Sequence, residues 1–311
     1  MPTLICGSLA FDTIMMFPDR FKNYILPDQI HILNVCFVNP EIRREFGGCA
    51  GNIAYNLKLL GGDPLPMGSV GKDFADYRQR LVGMGISDEH ILEIPELYSA
   101  QCTITTDQDN NQITNFHPGA MGEAHRNKVA NASEVSLGIV APDGRDAMIQ
   151  HAHDFASQNI PFMFDPGQNL PLFSKEELMI FLDQATWCVM NDYESQLMMN
   201  TTDESIESLA GQVDALIVSR DVSNLVYLNN VKKVYLWVHD VLPNNSVIKG
   251  LTIQYHETIF KRILCLCNWH KEQIQQRLGV EDERMYVTRN AILPHRFARR
   301  PRKIPHRYIY T

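Results

Sequence analysis

Up to about residue 220 the chain alternates two hydrophobic patterns. Short runs at residues 3–8, 135–140, 161–164, 186–190 and 215–218 are dense in Val, Ile, Leu and Phe, as strands covered on both faces must be. Between them, residues 51–60, 74–84, 145–157, 175–183 and 203–212 read as amphipathic helices. This βαβα rhythm predicts an α/β fold built on a doubly wound, mostly parallel sheet. Residues 14–44 and 96–116 break the rhythm, mixing polar and apolar positions with Thr-rich alternation such as Cys102-Thr103-Ile104-Thr105-Thr106. They predict a small β-lid added to one edge of the sheet.

In open parallel sheets a ligand sits beyond the carboxyl ends of the strands. The polar residues just after the apolar runs are therefore the first candidates for chemistry: Asp12, Asp143, Asp165, Asn191 with Asp192, and Ser219 with Arg220. Singly, each is also a good helix cap or turn former. A glycine-rich segment strengthens the crevice reading: Phe46-Gly47-Gly48-Cys49-Ala50-Gly51-Asn52-Ile53-Ala54, continuing to Gly61-Gly62 and followed by Gly71. Gly47 and Gly48 let the backbone approach a ligand and adopt dihedrals closed to other residues. Gly51 and Asn52 are expected to open a helix whose free N–H groups can meet polar ligand atoms.

Composition narrows the function classes. A chain of 311 residues, 45% hydrophobic, can form one large domain or two smaller ones. Its net charge of -8 argues against a nucleic-acid binder. The locally basic stretch Arg289, Arg296, Arg299, Arg300, Arg302, Lys303 and Arg307 reads as solvated surface. Seven cysteines, an odd number without framework spacing, suit reduced thiols. Cys265 and Cys267 fall on one face of a strand and read as packing. The N-terminus lacks a basic n-region, and no apolar run approaches the ~20 residues that span a bilayer. A cytoplasmic protein without a membrane partner is expected.

With its spacing of Asn52, Ala54, Gly61 and Gly71, the glycine segment resembles the first signature of the ribokinase-like, or PfkB, family of sugar and nucleoside kinases. The likeness covers residues 1–218 and implies a ribokinase-type fold. It implies that Asp12 holds ribose hydroxyls, a role suited to a carboxylate, and that Gly47, Gly48 and Asn52 form the sugar-contacting turn. Asn191-Asp192-Tyr193-Glu194 is similar to the family's Asn-x-x-Glu motif. There Asn191 and Glu194 would serve the nucleotide, and Glu194 would organise Mg²⁺ beside the phosphates of ATP. The wording around Asn110 to Ala120 and Phe164 to Gln168 is most similar to bacterial adenosine kinases, which implies a nucleoside or sugar substrate with adenosine foremost. Phe11 and Phe116 have two roles open, stacking on a base or packing in the lid.

The family's mechanism is in-line transfer of a phosphoryl group to a primary hydroxyl, with a carboxylate base and helix N-terminal amides. Both come from a Gly-Ala-Gly-Asp motif, and residues 215–311 contain no such stretch. Asp143 and Asp165 are the spare carboxylates on the kinase side. Residues 219–311 instead resemble the middle of a GT-B glycosyltransferase, in Trp237-Val238-His239-Asp240 and Asn268-Trp269-His270. His239 reads as structural or as an acceptor-side base. The expected organisation is thus an incomplete kinase domain, 1–218, joined to a short second α/β segment, 219–311. Three function classes follow: a nucleoside kinase, a non-catalytic nucleoside or sugar binder, and a glycosyltransferase remnant.

Overall fold

The computed structural model describes residues 1–205, 208–209, 215–219, 234–238, 260–265, 271–272, 275–276 and 282–287. Arg220, His239, Cys267, the basic stretch from Arg289 and most of the helix expected at 203–212 lie outside these residues, as does the side chain of Asp192.

Among the described residues ten strands form one parallel sheet. In chain order they are β1 (Pro2–Cys6), β4 (Asp63–Gly71), β5 (Ile91–Ile94), β8 (Leu137–Val140), β9 (Phe162–Phe164), β10 (Trp187–Asn191), β11 (Ala215–Ser219), β12 (Val234–Val238), β13 (Phe260–Cys265) and β14 (Met285–Val287). Their spatial order is β14-β13-β12-β11-β10-β9-β8-β1-β4-β5. The chain steps outward from β1 to β4 and β5, then returns to β8 on the other side of β1 and winds the opposite way. The order reverses between β1 and β8, the place where an open sheet leaves a crevice.

Alternate side chains of β1 feed two different cores. Leu4 and Cys6 pack with Phe155, Phe162, Phe164 and Phe181, under helices α3 (Arg145–Ser157) and α4 (Lys175–Gln184). Ile5 packs with Ala50, Ala54, Phe74 and Tyr77, under α1 (Cys49–Leu59) and α2 (Ala75–Gly83). Burial on both faces explains why these strands read as continuous apolar runs.

β4 carries Pro64 and Pro66, which hid it from the hydrophobic pattern. The Gly7 N–H donates to the Met67 carbonyl at 3.1 Å, so the odd-numbered groups of β4 face β1. The two prolines therefore face the other side, where β5 joins only from Gly68 onward, and no ladder donor is lost.

The lid is a separate four-stranded sheet, ordered β3 (Glu41–Gly47), β2 (Ala10–Met16), β6 (Ala100–Thr106), β7 (Gln112–His117). Asp73 ties it to the body, accepting the Ser99 N–H at 2.8 Å and a Gln101 Nε2–H at 3.1 Å. Strands β12 to β14 belong to the segment expected as a second α/β unit, and they pair in succession onto the main sheet. Among the described residues no helix is long and apolar enough to cross a membrane.

Candidate functional site

The site begins where β1 ends. The Ser8 N–H donates to the Pro142 carbonyl at 3.0 Å, holding the β1 and β8 loops side by side at the switch point. Ser8 then fastens the start of α1: its hydroxyl accepts the Cys49 N–H and its carbonyl accepts the Ala50 N–H, both at 3.0 Å. This corrects the expectation of a free amide at Asn52. The helix opens at Cys49, its first donors are taken by Ser8, and the Asn52 N–H closes the first turn on the Gly48 carbonyl at 3.0 Å. Gly51 is buried rather than ligand-facing, because a Cβ on it would strike the Tyr77 hydroxyl.

Two glycines are demanded by geometry. Gly48 has φ 86°, and a Cβ there would lie 2.7 Å from the Ala10 N and 2.8 Å from the Leu9 Cα. Gly47 faces Asp12: a Cβ on Gly47 would collide with the Asp12 carboxylate. Behind Gly47, the Tyr77 hydroxyl donates to its carbonyl at 2.8 Å in a buried bond. Asp12 and Gly47 are thus brought together by the β2–β3 pairing, and Gly48 lies beside them. The Asn52 side chain is exposed one turn into α1. Asp12 is half-buried, and burial, then the neighbouring Glu45 charge, raise its carboxyl above the usual range.

The β8 and β9 ends add two more carboxyls. Asp143 Oδ1 accepts the Gly144 N–H at 2.9 Å, while its Oδ2 is buried with no hydrogen-bond partner among the described residues. Burial pushes Asp143 up to about 8. Asp165 is pushed up to about 7, first by burial and then by the charge of Glu194, against a Gly167 N–H that pulls it down. Cys49 reports the convergence of this edge. Its thiol is raised to about 11, chiefly by burial, with Asp165, Asp143 and Asp12 all adding to the shift.

The Asn191-x-x-Glu194 segment is a capping box at the start of α5 (Asp192–Thr202). Asn191 Oδ1 accepts the Glu194 N–H at 2.8 Å, and the Asn191 N–H donates to Glu194 Oε2 at 2.9 Å. Asn191 Nδ2 donates to Glu194 Oε1 at 2.8 Å. The box fixes the Glu194 rotamer, and the Glu194 charge acts on Asp165. Among the described residues no group of three His, Cys, Asp or Glu is placed to enclose a metal. Asp165 and Glu194 nevertheless suit Mg²⁺, which takes one or two carboxylates and completes its shell with water and phosphate oxygens. Their mutual repulsion is what a divalent cation relieves.

Phe11 resolves to packing, 2% exposed against Phe46 and Tyr77. Sequence reasoning missed Ser8 and Tyr77. Ser8 was readable as a polar residue directly after an apolar run, whereas nothing local to Tyr77 points to Gly47.

Comparison with known proteins agrees with the fold. The profile of the pfkB family carbohydrate kinases matches residues 23–240. The match runs past residue 218, where the kinase likeness was expected to end, and takes in the Trp237-Val238-His239-Asp240 stretch. A nucleoside kinase of Methanocaldococcus jannaschii is 32% identical over 63% of this chain, which spans 65% of that relative's length. A solved nucleoside kinase of Burkholderia thailandensis in complex with inosine is 49% identical, with a TM-score of 0.62, over 70% of either chain. In complex with ADP-inosine the likeness is 51% identity and a TM-score of 0.60, over 70% of this chain and 69% of that one. On the strength of the family match, joined to a ribokinase-type sheet and lid, this chain belongs to the pfkB family of carbohydrate kinases.

Proposed function

We propose that this protein binds a nucleoside, inosine or adenosine, by its ribose, in the service of phosphoryl transfer from ATP to the primary hydroxyl. The observation that carries the reading is the packing of the Asp12 carboxylate on Gly47 at the mouth of the switch-point crevice. There Asp12 would accept hydrogen bonds from two ribose hydroxyls. Gly47 would let the Asp12 carboxylate lie against the turn and Gly48 would close it on the backbone of residues 8–10, and Asn52 would present its amide from α1. Asn191 and Glu194 would serve the nucleotide side, Glu194 with Asp165 holding Mg²⁺. When bound, that ion neutralises charge on the phosphate oxygens. The inosine complexes of the Burkholderia relative support a nucleoside over a free sugar.

A second reading is favoured by one observation: residues 215–311 hold no Gly-Ala-Gly-Asp stretch. Loss of a positioned base costs roughly 10²- to 10⁴-fold and loss of one anion-hole donor roughly 10²- to 10³-fold. The 311-residue chain then binds a nucleoside with little turnover. The parallel pairing of β12 to β14 supports these strands as an outer part of the kinase sheet rather than a glycosyltransferase piece.

Titrating inosine and adenosine into wild type and Asp12→Ala by calorimetry tests the ribose site. Wild type is expected to bind, and Asp12→Ala to lose binding at least 100-fold with an unchanged far-ultraviolet spectrum. Equal affinity in the variant would remove Asp12 from the site.

A further inference from the structure

Asp73 stands in the loop between β4 and α2, where the body of the molecule crosses the root of the lid. The crossing is tight. The Gly71 N–H donates to the Ser99 hydroxyl and the Lys72 N–H to the Leu97 carbonyl, both at 3.0 Å. A Cβ on Gly71 would collide with the backbone of residues 97–99, and Ser99 is fully buried. Both oxygens of Asp73 reach into the lid from here. Oδ1 accepts the Ser99 N–H at 2.8 Å, one residue before β6 begins. Oδ2 accepts from Gln101 Nε2 at 3.1 Å and lies 3.7 Å from the Arg44 guanidinium of β3. The ordinary work of an aspartate in this place is to cap the helix that follows, yet α2 has no side-chain cap. The carboxylate is spent on the lid instead.

The lid register shows what this grip acts on. Phe11 on β2 lies directly opposite Phe46 on β3 and Gln101 on β6, and Thr13 lies opposite Arg44. Directly opposed residues project from one face of a sheet, so Gln101 and Arg44 share the face of Phe11, on the two strands that flank β2. Arg44 also covers the Phe11 ring, 3.9 Å from its centroid. Successive residues of a strand point to opposite faces, which puts Asp12 on the far side of β2, against Gly47. One carboxylate of the body thus holds both neighbours of β2 from behind, while Asp12 projects in front.

We infer that Asp73 is a positioning residue: by gripping β3 and β6 from the body, it holds the lid in the pose that sets Asp12 at the ribose site. The inference rests on the ribose reading above and deepens it. When the fraction of molecules in a binding-competent pose falls, apparent affinity falls by the same factor. The Ser99 and Gln101 bonds to a charged acceptor make most of the grip, because the Arg44 side chain is half exposed and an exposed ion pair contributes little.

The test is calorimetric titration of inosine into wild type, Asp73→Ala, Asp73→Asn, Asp12→Asn and the variant that combines Asp12→Asn with Asp73→Ala, with hydrogen exchange read on the lid and on β1. Asp73→Ala is expected to bind inosine about tenfold more weakly, with faster exchange in β2, β3 and β6 and unchanged exchange in β1. Asp73→Asn keeps an oxygen for the Ser99 N–H and is expected to bind within about threefold of wild type. In the Asp12→Asn background, Asp73→Ala should add no more than about threefold, because positioning a side chain whose hold on the ribose is already weakened gains little. Equal inosine binding by wild type and Asp73→Ala overturns the positioning role and leaves the ribose site standing. An equal loss in both backgrounds overturns it as well, by showing that Asp73 acts on the fold at large. If wild type binds no inosine, the ribose reading falls and the positioning role falls with it.

Discussion

Asp143 holds a carboxyl oxygen without a partner among the described residues at 2% exposure, so its charge is opposed by burial with the Gly144 N–H in its favour. Its folded pKa of about 8 stands above the ordinary 3.8. A raised carboxyl binds its proton more tightly in the folded state, so its contribution to stability is complete below pH 4 and is lost as pH rises towards 8. Asp143→Asn should therefore gain on wild type across that window, by a few kcal/mol at the top and by almost nothing at the bottom. Urea denaturation of both proteins between pH 4 and 9 measures the difference, in which the Asp165 titration cancels because both proteins carry it. A pH-independent difference would show that burial does not govern Asp143. At this scale the sequence was informative at Gly48, whose φ of 86° demands glycine, whereas Gly47 is required by the nearby Asp12 carboxylate and not by its own dihedrals. The sequence was silent on Tyr77, whose contact with Gly47 spans 30 residues and exists only once α2 packs under β3.

At the scale of elements, strands buried on both faces were legible because both faces demand apolar side chains, and β8 to β10 fall within a few residues of the expected runs. β4 was not legible, since Pro64 and Pro66 are tolerated only through the local lack of a partner on one side, a fact of topology. The lid was legible as a break in rhythm but not as four strands, because the exposed residues of β7 carry no alternation of burial. The capping box of α5 makes a prediction here, since one pair of side chains both starts the helix and presents Glu194. Asn191→Ala should lower stability by about 1 kcal/mol through loss of the N-cap. Glu194→Gln keeps a competent box residue, so its melting temperature should stay near wild type while affinity for Mg²⁺-ATP falls tenfold or more. Unchanged Mg²⁺-ATP affinity in Glu194→Gln, read by calorimetry, would assign the motif to helix capping alone.

For the whole molecule, the described strands β12 to β14 of the segment expected as a second unit pair onto the sheet of the first. Residues 219–311 carry no continuation of the glycine and Asn-x-x-Glu motifs, which made them read as a different protein. Motifs mark ligand contacts, whereas a parallel strand needs only an apolar run and a neighbour, and β12 to β14 supply those to β11. The fold can therefore extend past the point where motif resemblance fades, in keeping with a family match that reaches Asp240. On the proposed reading, β2, β3 and α1 carry the ribose contacts, while residues 215–311 hold no Gly-Ala-Gly-Asp stretch to supply a base and anion hole. The most direct test is calorimetric titration of the purified 311-residue chain with inosine, followed by addition of Mg²⁺-ATP and direct assay of inosine monophosphate. The account predicts saturable binding with turnover at least 10²-fold below the roughly 1 to 100 s⁻¹ of kinases. Turnover within that range would contradict the low-turnover reading and leave phosphoryl transfer standing, with other residues supplying the base, and failure to bind inosine would contradict the nucleoside site itself.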